Sequence, residues 1–468
     1  MNPYPVRVTN ADFLMEVHMS QIFRWELHPE AEKFVDALIA ECVAGNAAAR
    51  AFESQLADVH VRLRDIVDYI SLSGKSAALT VTGLGYAVEV VSMEGVVYRH
   101  YGADLPKIRI YPHHEGEPKL LGLAVRCDSV TAFAQKHACA SIEGTPGGYF
   151  SKTRVVSPGD RIWFCAVERR GVNCILPIYA HASILSDIEE ARRIWNASRF
   201  GQWSAFNAPD GVEARLAAVR RIKEFLHEDL ARAVIFEEER AYWQSRNESG
   251  QFQKVLQDQV GIGWANSDHH TFRSSRQCFR QLIQLFLVLG FVPRERFYAG
   301  DDAGWGAQVL EAPDGLVVFA DVDLMPEEKD HDFAEHPLAP GPKLGTIGLW
   351  CALHGESILE AGMHHLEIKC DFQAKRAEEE RSGRRMLVFN DSPELKQAFT
   401  AGARWAVSEA RLQDLASRGL ITPEQARVFA ETGAIGSHLE ILERAWGYKG
   451  FKKAGISQII SSTDPRKQ

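Results

Sequence analysis

Apolar residues recur at three- and four-residue spacing from Phe34 to Val43 (FVDALIAECV) and from Phe52 to Ile70 (FESQLADVHVRLRDIVDYI), which predicts helices across residues 11–73. From Ala77 the period falls to two. ALTVTGLGYAVEVVSMEGVVYRHYG and KIRIYPHH predict strands broken by glycine turns. KLLGLAVRCDSVTAFAQKHA predicts a strand running into a short helix, RIWFCAVERR a further strand, and residues 186–245 a charged helical region. The short, polar, glycine-containing stretch NESGQ at 247–251 is the candidate linker. It divides the chain into 1–245, helical plus β, and 250–468.

Past the linker the pattern sharpens. GWANSDHHTFR predicts a strand, SRQCFRQLIQLFLVLGF a helix with Phe279, Leu282, Phe286 and Leu289 on its apolar face, and RERFYAG, WGAQVLEAP and GLVVFADVDL three strands. A second helix (LGTIGLWCALHGESILEAG) leads to the strand MHHLEIKCDF. Residues 374–432 read as a charged helical excursion, after which the strand GSHLEILERA precedes the tail GYKGFKKAGISQIISSTDP.

The 468 residues exceed what one hydrophobic core usually serves, and 46% hydrophobic with 25% charged residues is the balance of an ordinary globular chain. A formal net charge of -9 supplies no basic footprint for nucleic acid. No run of about 18 apolar residues is present to span a bilayer, and the N-terminus lacks a signal-peptide layout, so a cytoplasmic protein is expected. Eight cysteines without a CxxC pair disfavour a zinc ribbon or a disulfide scaffold.

Strand parity selects the chemistry, because residues two and four apart share a face. In SDHHTFR it puts His269, Thr271 and Arg273 together, with His270 and Phe272 opposite. In MHHLEIKC it sets His364, Leu366, Ile368 and Cys370 on the apolar side and His365, Glu367 and Lys369 on the other. In GSHLEIL, His438 and Glu440 oppose Leu439 and Ile441. Two imidazoles and one carboxylate from separate strands, with coordination positions left open, make the arrangement of non-haem Fe(II) oxygenases.

The elements H269-x-x-x-R273, a helix ending in LVLGFVPRERF, the strand M-H364-H365-L-E, and H438-L-E440-I-L-E-R-A followed by Y-K-G-F and A-G-I-S-Q-I-I-S-S-T-D resemble, in order and spacing, the 2-oxoadipate dioxygenase/decarboxylase (hydroxyglutarate synthase) family of the vicinal oxygen chelate superfamily. The resemblance covers roughly residues 250–468. It implies an α+β fold in which chelate-type βαβββ modules form a half-open barrel around a metal, with added helices and an N-terminal α/β extension. It also implies Fe(II), or another divalent metal, held by His269, His365 and Glu440, with O2 as co-substrate. Arg273 would grip the carboxylate of a small-molecule substrate, since a guanidinium pairs bidentately with such groups. Thr271, Glu367 and His438 would lie in the pocket or behind the ligands. His438 stands where the family has an aromatic residue, which opens a ligand role for it as well.

The N-terminal half has the look of a degenerate, non-metal chelate module, with Val125 and Cys127 where a ligand would be expected. The alternatives to a dioxygenase are a metal-dependent isomerase or lyase of the same fold without O2 chemistry, and a binding protein without catalysis. YPHHEG (His113, His114) and KDHDFAEH (His331, His336) read as exposed loops. VTGLGYAV has only two glycines of a dinucleotide fingerprint and precedes a strand. The sequence sets neither the substrate nor the oligomeric state.

Overall fold

The computed structural model describes residues 25–92, 95–111, 119–156, 162–171, 178, 182–199, 208–300, 303–329, 332, 335–341, 343–451, 464 and 466. Two sheets with the same strand order carry it. The first contains β1 (Val67–Ser73), β2 (Ala87–Ser92), β3 (Gly95–Arg99), β4 (Lys107–Tyr111), β5 (Lys119–Arg126), β6 (Ile142–Gly144), β7 (Phe150–Val155) and β8 (Trp163–Arg169). Their spatial order is β2, β3, β4, β1, β5, β8, β7, β6. The second contains β9 (Ser267–Arg273), β10 (Val292–Tyr298), β11 (Trp305–Glu311), β12 (Val317–Asp323), β13 (His365–Lys369), β14 (Met386–Ser392), β15 (Leu395–Thr400), β16 (Ala403–Trp405) and β17 (Ala434–Arg444). Its order is β10, β11, β12, β9, β13, β17, β15, β14, with β16 added against β17. Each sheet is two strand–helix–three-strand modules side by side, the α+β fold expected, and among the described residues neither sheet closes into a barrel.

The second sheet buries its outer face under helices. Phe272, Leu366, Ile368, Leu439 and Ile441 share one core with the helices Ile184–Arg199, Ala208–Ile222, Glu228–Ser245 and Phe279–Val288. That leaves the alternate residues of β9, β13 and β17 facing inward, because successive side chains of a strand point to opposite sides.

Several local expectations are corrected. Val67–Ile70 belong to β1 rather than to a helix, all four being buried in a strand that pairs on both edges. Lys75–Gly83 is a helix although the β-branched run LTVT reads as strand, since Ala77 and Val81, one helical turn apart, are both buried. NESGQ is the start of the helix Glu248–Gln259, where Asn247 Oδ1 accepts from the Gly250 amide at 2.8 Å, rather than a linker. The charged excursion 374–432 holds the hairpin β14–β15 and the short β16 between its helices. No helix among the described residues is long and apolar enough to cross a membrane.

Candidate metal centre

Register fixes which side chains meet. β9 runs parallel to β12, with Arg273 opposite Asp321, and antiparallel to β13, with Thr271 opposite His365. β13 in turn runs parallel to β17, with Glu367 opposite Glu440. The inward residues of three neighbouring strands therefore converge within about 10 Å, two strand spacings.

His269, His365 and Glu440 come together there, all buried, each offering one donor atom within 4.8 Å of the other two. His365 Nε2 lies 3.0 Å from Glu440 Oε2, and His269 Nε2 lies 3.8 Å from that same oxygen. Behind them sits a set of orienting groups. His269 Nδ1 donates to the buried Glu367 carboxylate and lies 3.4 Å from Asp268 Oδ2. Gln397 Nε2 donates to Glu440 Oε1 at 3.0 Å and to Glu367 Oε1 at 3.1 Å, tying the two carboxylates in place. His365 Nδ1 pairs with His364 Nδ1 at 3.0 Å. Phe319 packs on the His269 ring and Phe399 on the His365 ring, with centroids 4.4 and 5.2 Å away.

The electrostatics follow from this crowding. Burial alone would lower the His269 pKa, but Glu367, Asp268 and Glu440 push it up to about 10. His365, buried beside His269 and Arg273, is held well below its ordinary value. Burial raises both Glu440 and Glu367, the latter also through Glu440. The centre thus gathers two buried imidazoles and a buried carboxylate whose donor atoms face one another, a set suited to a cation.

Arg273 sits further along β9, fully buried, its guanidinium 5.5 Å from the centre of the Trp350 ring. Its Nε has no hydrogen-bond partner, and neither has the buried Thr271 Oγ1. His270 points the other way, against Phe236 at 5.2 Å and Arg240 at 3.4 Å, as parity predicts. His364 departs from its predicted apolar face. It precedes β13, outside the strict alternation, and its ring turns toward His365, His438 and Trp350. His438 donates from Nδ1 to the Thr400 carbonyl at 2.8 Å and stands outside the three-donor group.

A cleft between the two sheets opens onto His269, lined by Asp268, Phe319, Lys369, Arg444, Phe451 and, from the first half, Asp104. Lys369 bonds Asp104 at 2.8 Å, and Arg444 bonds Asp268 at 3.0 Å. Sequence reasoning missed Asp268, Gln397, Phe319 and Asp104. Asp268 points away from the predicted face by parity, and the other three lie on elements far apart in the chain.

The first sheet has no such centre among its described residues. Ser71 pairs with Gly122, Gly122 with Trp163 and Ala124 with Cys165, as Thr271 pairs with His365, His365 with His438 and Glu367 with Glu440. Register thus places Tyr69, Gly122 and Cys165 where the second sheet has His269, His365 and Glu440. A Cβ at Gly122 would fall 2.0 Å from the Trp163 indole, so that ring covers the position. Val125 and Cys127, expected in a ligand's place, are instead buried in the first half's own core. His336 is exposed, whereas His113, His114 and His331 fall outside the described residues.

No protein-family model matches the chain, and no curated protein matches it either. Among solved structures, it is similar to a mutant of 4-hydroxymandelate synthase from Streptomyces coelicolor, with 11% identity, 86% of this chain and 99% of that one covered, and a TM-score of 0.29. It is also similar to methylmalonyl-CoA epimerase from Mycobacterium tuberculosis, with 13% identity, 39% and 89% covered, and a TM-score of 0.23. A third is the Mn(II)-bound glyoxalase from Novosphingobium aromaticivorans, with 10% identity, 83% and 86% covered, and a TM-score of 0.19. These likenesses are weak, and the chemistry of the centre is read from its own residues.

Proposed function

We propose that His269, His365 and Glu440 hold one divalent metal ion, Fe(II) before others, and that the protein is a non-haem dioxygenase acting on a small 2-oxo acid or related carboxylate. The observation that carries this reading is the meeting of both Nε2 atoms on one Glu440 oxygen in a buried pocket. Two histidines and one carboxylate leave coordination positions open, the donor set suited to iron and oxygen chemistry. Bound there, the metal would supply the place where O2 and the 2-oxo carboxylate meet for oxidative decarboxylation and hydroxylation.

The chain's own residues do the rest. Glu367 and Asp268, both facing His269 Nδ1, would hold that proton so that Nε2 is the nitrogen freed for a metal, and Gln397 orients Glu440. Phe319 and Phe399 wall the two imidazoles from water. Arg273 would pair with a substrate carboxylate, its buried Nε being unpartnered. The catalytic half would be residues 250–468, with the first sheet a non-metal copy that contributes a wall of the cleft.

The test is oxygen uptake by protein purified without air and reconstituted with Fe(II), against a panel of 2-oxo acids. Substrate-dependent O2 consumption supports the reading. Bound metal with no consumption would move it to an isomerase or lyase, and no bound metal to a binding protein.

A further inference from the structure

We infer that Arg273 and Asp321 together form a subsite for a head group that presents a carboxylate beside a hydrogen-bond donor, as an α-amino or α-hydroxy acid does. The inference rests on the proposed metal centre only for what lies at the other end of the substrate. Arg273 and Asp321 are in register on the parallel strands β9 and β12, so their side chains leave the same face about 4.8 Å apart. Both residues are 4% exposed. Two oppositely charged groups placed so would ordinarily be expected to pair, yet no ion pair or hydrogen bond joins their side chains, and Arg273 Nε has no partner.

Buried charged groups left without hydrogen-bond partners cost free energy, and although Arg273 and Asp321 are each other's main opposite charge, a ligand that bonds to both relieves that cost. A plain carboxylate answers Arg273 and leaves Asp321 facing an anion. A cation alone reverses the problem. A carboxylate with an ammonium or hydroxyl on the adjacent carbon satisfies both, the acid group on the guanidinium and the donor on the aspartate.

The surroundings fit the same head group. Thr271 Oγ1, on the same face of β9, and Trp305 Nε1, on β11 next to β12, are buried and unpartnered, giving further hydrogen-bonding capacity. Trp350 and Phe319 supply an apolar frame around them. Burial pushes the Asp321 pKa up to about 7 against the pull of Arg273 and His269, the signature of a carboxyl short of donors. Four residues of extended strand, about 13 Å, separate Arg273 from His269 on the same face of β9.

The test uses metal-free full-length protein titrated calorimetrically with L-norvaline, 2-hydroxypentanoate and pentanoate, which share a five-carbon chain and differ only in the donor beside the carboxylate. At least one of the first two should bind tenfold or more tighter than pentanoate, and which of them does so identifies amine or hydroxyl as the donor. Asp321→Ala should bring the three within about twofold of one another while keeping pentanoate binding, and Arg273→Ala should weaken all three tenfold or more. Asp321→Asn, close in shape, serves where the alanine variant melts early and should abolish any preference for the amine. Pentanoate binding as tightly as the others, no binding of any probe, or an unchanged preference in both Asp321 variants would overturn the subsite. Metal binding is measured separately. Lost discrimination with metal retained sinks the subsite alone, and discrimination without metal binding sinks the metal reading alone.

Discussion

His269 donates from Nδ1 to the Glu367 carboxylate, which leaves its Nε2 aimed at Glu440, 3.8 Å from Oε2. Together with Asp268, 3.4 Å from the same Nδ1, this carboxylate decides which ring nitrogen the centre can use. Replacing Glu367 with Gln keeps the size but weakens the hold on the tautomer. We expect Glu367→Gln to weaken metal affinity about 10- to 100-fold while the melting temperature stays within a few degrees. Competition with a chelator of known affinity measures it. Unchanged affinity would remove the orienting role.

Arg273 makes no ion pair or hydrogen bond with His269, His365 or Glu440. Arg273→Ala should therefore retain one metal per chain and raise the substrate KM tenfold or more. Arg273→Lys should recover only part of the loss, because an ammonium cannot make the two parallel bonds of a guanidinium. Metal analysis and steady-state kinetics on the same preparations check both halves of this statement.

Glu311 ties the two halves of the molecule together. Its carboxylate meets Lys449 at 2.8 Å, Arg99 of the first sheet at 3.1 Å and Arg294 at 3.3 Å. Burial would raise its pKa, but these three cations bring it down to about 2. A depressed folded-state pKa stabilises the fold above the unfolded value of about 4.3, and that contribution is lost as pH falls through about 2. Its size is roughly 3 kcal/mol. Urea midpoints measured from pH 6 to pH 2 should fall more steeply for the native chain than for Glu311→Gln, and parallel curves would contradict the assignment.

The inward faces of β13 and β17 were legible because Leu366, Ile368, Leu439 and Ile441 make their outward sides apolar, and on β9 the same period of two set His269 with Arg273 against His270 and Phe272. His269, Arg273, His365 and Glu440 fall where parity puts them. His364 does not, because it precedes its strand and the alternation has not begun. The helix Lys75–Gly83 was illegible for a different reason. Its β-branched residues favour a strand, and burial of Ala77 and Val81 on one helical face overrides that preference. β14 was hidden by its surroundings: its apolar run MLVF at 386–389 is short and follows closely on the charged helix Phe372–Arg381. Gln397, which ties the two carboxylates together, went unseen with its hairpin. The doubling of the fold was visible in KLLGLAVRCDSVTAFAQKH and RIWFCAVERR, although the first sheet replaces each donor residue.

We propose one metal ion among His269, His365 and Glu440. The most direct test is the metal content of single alanine variants after Fe(II) reconstitution without air. His269→Ala, His365→Ala and Glu440→Ala should each lose the ion. His270→Ala, whose ring faces Phe236 on the other side of the sheet, should keep one per chain, and His364→Ala should keep it with weakened affinity. Loss of metal in His270→Ala together with its retention in His269→Ala would contradict the account.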